Sequence, residues 1–115
     1  MAEEERQGQE DLYEKVTDQI VYTAASFPEI TIVAPEGFQS FISGISQVWR
    51  RKGVPGIMIH SGRYGLSIDV SVSMTFRCRI HEEAERFQEA IRQALEKECT
   101  ETISSVNIDV VRITK

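Results

Sequence analysis

The sequence predicts an α+β domain: a two-layer sandwich in which a small, mostly antiparallel sheet carries helices on one face, in the order α-β-α-β-β-α-β. Three observations predict it. Residues 66–77 alternate without a fault, with Leu66, Ile68, Val70, Val72, Met74 and Phe76 on one side and Ser67, Asp69, Ser71, Ser73, Thr75 and Arg77 on the other. That period belongs to a strand with one buried and one wet face. Residues 81–98 instead place Ala84, Phe87, Ile91, Ala94 and Leu95 on a helical stripe, behind Ile80. Finally, a chain of 115 residues with 41% hydrophobic content can bury one core without disulfide or metal staples.

The elements follow in order. Residues 1–9 are nearly devoid of apolar side chains and are expected to form a disordered acidic leader. Residues 10–115 are expected to form a single domain. From Asp11, the spacing of Leu12, Tyr13, Val16, Ile20, Val21 and Ala24 predicts a helix, which Pro28 ends near Phe27. Ile30 to Ala34 is a short β-branched run and predicts a strand. Pro35-Glu36 opens a second helical pattern through Phe38, Phe41, Ile42, Ile45, Val48 and Trp49, and Gly53, Pro55 and Gly56 close it. Gly56 to His60 and Leu66 to Arg77 predict a hairpin around Ser61-Gly62-Arg63-Tyr64-Gly65, with Ile59 opposite Leu66 and Ile57 opposite Ile68. After the third helix, Val106, Ile108 and Val110 alternate with polar neighbours and predict a closing strand.

Charge is unevenly placed. Residues 1–18 hold seven acids against Arg6 and Lys15, which accounts for the whole net charge of −5; the remainder has eleven acids and eleven bases. A near-neutral domain behind an acidic segment argues against generic nucleic-acid binding, which draws on clustered Lys and Arg. No apolar run reaches membrane-spanning length, and no basic-then-apolar secretory pattern opens the chain. Two cysteines without a secretion signal point to reduced thiols in the cytoplasm.

Candidate chemistry is sparse. Cys78 and His81 form a C-x-x-H pair, and His60 and Cys99 would complete a Cys₂His₂ inventory. Zinc sites, however, usually bring two tight ligand pairs from loops, and these four belong to scattered element ends. No metal and no cofactor is expected. His60, Asp69 and Ser67 share the polar face of the hairpin, with Ser71 and Ser73 beside them. A nucleophile needs a base in reach, an orienting group and a dry cleft, and an open sheet face supplies none of these by itself. No P-loop, dinucleotide fingerprint, H-E-x-x-H, G-x-S-x-G or C-x-x-C occurs. Trp49, Arg50, Arg51 and Lys52 lead into Gly53-Val54-Pro55-Gly56, a basic-aromatic cluster beside a G-x-x-G. In KH domains such a loop clamps a nucleic-acid backbone, but between two helices. Here it would join a helix to a strand. The cluster is therefore a candidate contact with a partner or an anionic surface.

The stretch Gly53 to Ile57, Gly65 to Val70, Ile80-His81-Glu82-Glu83-Ala84 and Val106 to Val110 resembles the alkaline shock protein family of envelope stress response proteins, as does Ile20 to Ser26 with its terminal Ala-Ala-Ser. Family members carry an "I-D-(L/V)-x-V-x-V" strand, an "I-P-E-V-A" helix opening and a closing "V-N-V-x-V" strand. Here His81 stands in place of the usual proline, Ile30-Thr31-Ile32 in place of a glycine-bearing run, and Glu10 where the family's first strand has an apolar residue. The resemblance implies a non-enzymatic cytoplasmic protein of cell-envelope homeostasis. Its implied partners are further copies of itself and a membrane-anchored protein that could hold it at the membrane.

Two function classes follow. One is an interaction and assembly module, whose strand-edge contact is expected at Ser67, Asp69, Ser71, Ser73 and Thr75, on the premise that this long strand lies at a sheet edge. The alternative is a small RNA-binding module using Trp49 to Gly56.

Overall fold

A computed structural model of the chain describes residues 2–34, 54–76 and 79–114. The described elements are helix α1 (Ala2–Ala24), strands β1 (Ile30–Ile32), β2 (Ile57–Gly62) and β3 (Gly65–Thr75), helix α2 (Ile80–Glu98) and strand β4 (Ile103–Thr114). The domain is α+β, as predicted. The helix expected between Pro35 and Lys52 lies outside the described residues, and so does Cys78.

α1 begins nine residues earlier than the Asp11 start that hydrophobic spacing gives. It takes in residues 2–9, which composition assigns to a disordered leader. The segment lacks an apolar face, but Ala, Glu, Arg and Gln all rank among the better helix formers, and they extend a helix already nucleated below. Val16 and Ile20 of α1 are fully buried, and Leu12 and Tyr13 pack against the same core.

β3 is the centre of the sheet. β4 lies along one side of it, parallel, from Leu66↔Ile103 to Thr75↔Thr114. β1 and β2 both pair antiparallel to β3, at Val72 to Met74 and at Gly65 to Val70 respectively. Since β4 occupies one side along the whole length, β1 and β2 must share the other, end to end. Their junction is at Ser71. Its N–H donates to Gly56 C=O at 2.7 Å, and its C=O accepts from Val33 N–H at 3.0 Å. The chain leaves the sheet after β1 and returns to the same line at Gly56, so β1 and β2 act as one interrupted strand.

Two sequence expectations are corrected here. The hairpin register is Ile59↔Ile68 and Ile57↔Val70, two residues from the predicted pairing. The loop is shorter than expected: Gly62 pairs with Gly65 across Arg63 and Tyr64 alone. A shift of two keeps every side chain on its predicted face. The second correction concerns the edge. β3 is paired on both sides, so Ser67, Asp69, Ser71, Ser73 and Thr75 belong to a central strand and cannot template strand addition.

The parallel pairing of β4 follows from the α2 crossover, because a helix between two neighbouring strands returns the chain in the original direction. α2 presents Phe87, Ile91 and Leu95 to the sheet, all fully buried against Leu66, Ile68, Val70, Val72 and Met74 among others. The Phe87 and Phe27 rings are 5.2 Å apart at 57°, closing the layer between α2 and the α1–β1 turn. On the solvent side, Arg86–Glu83 at 2.6 Å, His81–Glu85 at 3.0 Å and Arg92–Glu96 at 3.8 Å form helix-spaced pairs. Such exposed pairs each contribute only about 0.3–0.5 kcal/mol, so the buried stripe holds the helix.

Candidate interaction edge

The sequence-predicted chemistry can now be placed. His60 and Ser67 are opposite one another in the β2–β3 ladder, and Asp69 lies two residues on along the same face. Their hydrogen bonds lead elsewhere. The Ser67 hydroxyl meets those of Ser104 and Ser105 at 3.2 and 3.1 Å, and the Asp69 carboxylate accepts from Asn107 Nδ2 at 3.0 Å. These contacts stitch β3 to β4. They do not join acid, base and nucleophile into a relay. His81 is exposed and paired with Glu85 across the helix surface, and Cys99 is buried at the end of α2. No cluster of three or more metal-ligating side chains forms among the described residues. Trp49, Arg50, Arg51 and Lys52 lie outside the described residues.

Burial pushes the Cys99 thiol above its ordinary pKa, an effect that nearby Lys15 only partly counters. A thiol raised on folding stabilises the fold below its ordinary pKa of about 8.5, and that contribution fades as pH rises through the higher folded value. In a Cys78→Ser background, Cys99 is therefore expected to react with iodoacetamide at pH 8 at least about tenfold more slowly than a free thiol. Unfolding with urea should restore the free-thiol rate. Fast labelling of the folded protein would show that the α2 end is open.

Among the described residues, two grooves flank α1 and α2. One of about 440 Å³ lies between the α1–β1 turn and the start of α2, lined by Phe27, Glu29, Arg79, Glu82, Glu83 and Arg86. Four of its charges are mutually paired, Arg79 with Glu82 and Arg86 with Glu83, and the Glu29 carboxylate accepts from the Thr75 hydroxyl. The other, about 390 Å³, runs between α1 and α2 past Tyr22, Phe27, Ala90, Ala94 and Lys97.

Among the described residues the sheet has two outer edges, that of β1 with β2 and that of β4, and the β4 edge is the longer uninterrupted one. Thr102 C=O accepts from Leu66 N–H at 2.8 Å and Thr114 C=O from Phe76 N–H at 2.6 Å, so both ends of the strand turn these carbonyls toward β3. The N–H and C=O of one strand residue point the same way, and successive residues alternate. The ladder skips Ser104 and Val111, which are bulged. Counting inward from the two ends around these bulges gives one consistent result. Ser105, Asn107, Asp109 and Arg112 turn their backbone to β3, while Val106, Ile108, Val110 and Ile113 turn theirs outward. The hydrogen bond from Gln88 Nε2 to Val106 C=O at 2.6 Å agrees, since α2 reaches that carbonyl from outside the ladder. Gln88 thus caps Val106, the next outward position after Ile103. Ile108, Val110 and Ile113 keep an open edge, β4 having only β3 as a strand partner among the described residues.

The side chains along this edge are sorted by face. Ile108, Val110 and Ile113 share the helix-bearing face, as shown by their pairing with Val70, Val72 and Met74; Asn107, Asp109 and Arg112 share the other, paired with Asp69, Ser71 and Ser73. Toward the strand end α1 and α2 no longer cover the apolar row, and Phe76 and Ile113 are 57% and 56% exposed, with the bulged Val111 beside them at 39%. Nothing in the alternation of Val106 to Val110 marks this end of the strand, because the Val110-Val111 doublet hides its continuation.

Residues 2–115 match the sequence profile of the alkaline shock protein 23 family, whose description is a cell envelope-related function. The chain belongs to this family. The match spans α1 through β4, which confirms the resemblance drawn from the Ile-Asp-Val strand and the Val-Asn-Ile-Asp-Val strand, including a chain start where Glu10 and its neighbours depart from the family pattern. No curated protein and no solved structure shows significant similarity to the chain. Among the described residues of this alkaline shock protein 23 family member, no helix is long and apolar enough to cross a membrane.

Proposed function

We propose that this family member is a non-enzymatic interaction and assembly protein of the cell envelope, acting from the cytoplasm through self-association and through docking on a membrane-anchored partner. The observation that carries the reading is the open outer edge of β4, with backbone donors and acceptors at Ile108, Val110 and Ile113 beside an exposed apolar row. Such an edge favours strand addition, in which main-chain hydrogen bonds give affinity and alternate side chains give specificity. The family's envelope-related function supports the same reading.

The test is fractionation of the host cell expressing a tagged full chain, followed by crosslinking. The expected result is co-sedimentation with the membrane fraction, lost on detergent extraction together with a membrane protein that crosslinks to the chain. A chain found wholly in the soluble fraction, crosslinked neither to an envelope protein nor to itself, would overturn it. Recovery of crosslinked RNA in place of protein would favour the module at Trp49 to Gly56.

A further inference from the structure

We infer that the outer edge of β4 is a self-complementary seam, on which a second copy of this chain docks its own β4 antiparallel about a two-fold axis centred on Val110. The inference rests on the assembly reading and assigns it a surface, a partner and a register.

The register follows from the strand itself. A two-fold perpendicular to a sheet makes one residue its own opposite, in a hydrogen-bonded or a non-hydrogen-bonded pair. Centring on Asp109 or Arg112 would oppose like charges, and centring on Asn107 would leave both charges without a partner of opposite sign, so an outward-turned residue sits at the centre. With Val110 there, and Val111 bulged as it is against β3, Ile108 falls opposite the second copy's Ile113, and Asp109 opposite its Arg112. Both pairs occur twice by symmetry. The backbone fits this arrangement, because Val110, Ile108 and Ile113 are the residues whose N–H and C=O face outward. Val110 would exchange both bonds with its symmetry mate, and Ile108 both with Ile113. Asp109 and Arg112 then form the non-hydrogen-bonded pairs, where opposite Cα atoms approach to about 4.5 Å and side chains interact most closely.

The chemistry is complementary on both faces. On the helix side the pairs are wholly apolar, and the exposed Ile113 would lose water contact. On the other side each pair is an anion opposite a cation. Among the described residues, Asp109 and Arg112 have no ion-pair partner within their own chain, and both are exposed. The alternative centres do worse. Centring on Ile108 places Asp109 opposite Asn107 and leaves Arg112 beyond the paired charges. Centring on Ile113 places Arg112 opposite Thr114 and leaves Asp109 unpaired. A membrane-anchored protein could use the same edge, but nothing requires its strand to carry this charge order. A second copy carries it by construction.

The experiment is sedimentation velocity on the full chain, with circular dichroism confirming that each variant is folded. Wild type is expected to form a dimer that strengthens with concentration. Asp109→Arg opposes cations at both pairs, and Arg112→Asp opposes anions at both. Each alone should weaken dimerisation about tenfold or more, since opposite charges across a strand pair attract and like charges repel. The two single variants mixed together regain an attractive pair at both positions, as does the double variant D109R/R112D. Each should recover dimer to near the wild-type level. Folded single variants that dimerise as wild type does, or a mixture that stays monomeric, would overturn the Val110 register while leaving assembly intact. A wild-type chain that remains monomeric up to millimolar concentration would overturn the seam and self-association together, leaving only docking on a different partner.

Discussion

Phe87→Ala is expected to lower the stability of the domain by about 3–5 kcal/mol, the range for truncating a fully buried aromatic side chain. The ring is completely buried and packs at 5.2 Å from Phe27, in a cluster that joins α1, α2 and four strands of the sheet. Removing it deletes apolar contact and leaves a cavity that the surrounding β-branched side chains cannot fill. For a chain of this size each kcal/mol shifts the melting temperature by about 3–6 °C, so the melting temperature followed by circular dichroism should drop by roughly 10–30 °C. Phe87→Leu keeps most of the volume and should cost less than half as much. A loss below about 1 kcal/mol for the alanine variant would mean that α2 is not held by its buried stripe.

The edge of β4 and the core make opposite demands on the same strand. Its first third buries Ile103 and Val106 and is capped by Gln88, while its end runs on with Val111 and Ile113 exposed. Proteins commonly protect such edges with charges or proline. Here the charges are present as Asp109 and Arg112, one of each sign. A single sign would repel any second copy, whereas a mixed pair excludes partners of the wrong charge order and admits the right one. An edge arranged in this way is selective.

How much of this was legible in the sequence differs by element. The alternation from Leu66 to Phe76 identified β3 and its buried face outright, because period-two patterning reports burial and needs no partner. The stripe through Phe87, Ile91 and Leu95 identified α2 for the same reason. The register of β2 against β3 was less accessible, since it depends on how tightly Gly62 and Gly65 close the turn, and side-chain alternation is unchanged by a slip of two. The central position of β3 was not readable at all. It depends on β1 and β4, which are distant in sequence, and an amphipathic strand looks alike in the middle of a sheet and at its rim. β4 was seen only as far as Val110, because the bulge at Val111 breaks the alternation that continues through Ile113. The residues expected at a strand edge therefore fall on the central strand, between the β1–β2 edge and the β4 edge. The envelope-related family, by contrast, was legible from short motifs distributed along the chain.

Gly56→Ala is the second substitution with a large expected effect, and its cause is backbone geometry. Gly56 has φ +103°, where side-chain-bearing residues are strained, and a Cβ added there would lie 2.3 Å from Val33 C=O. That oxygen cannot retreat cheaply. The Val33 N–H is bonded to Ser71 C=O, while Gly56 C=O holds Ser71 N–H from the same side, so both ends of the interrupted strand grip one residue. An alanine must therefore adopt the unfavourable backbone region at about 1–2 kcal/mol and also loosen one or both bonds at about 1 kcal/mol each. The expected loss is about 3 kcal/mol in urea unfolding, with early hydrogen exchange at Ser71 and Val33 as the local signature. Gly65 is built alike, with φ +123° and an added Cβ 2.3 Å from Thr102 C=O, the acceptor of the first β3–β4 bond. Gly62 provides the control: its nearest atom to an added Cβ is 3.7 Å away, so Gly62→Ala should change stability by less than about 0.5 kcal/mol. Equal tolerance at all three glycines would show that β1 and β2 do not meet at Ser71. The interrupted strand would then have to be redrawn as two independent edges.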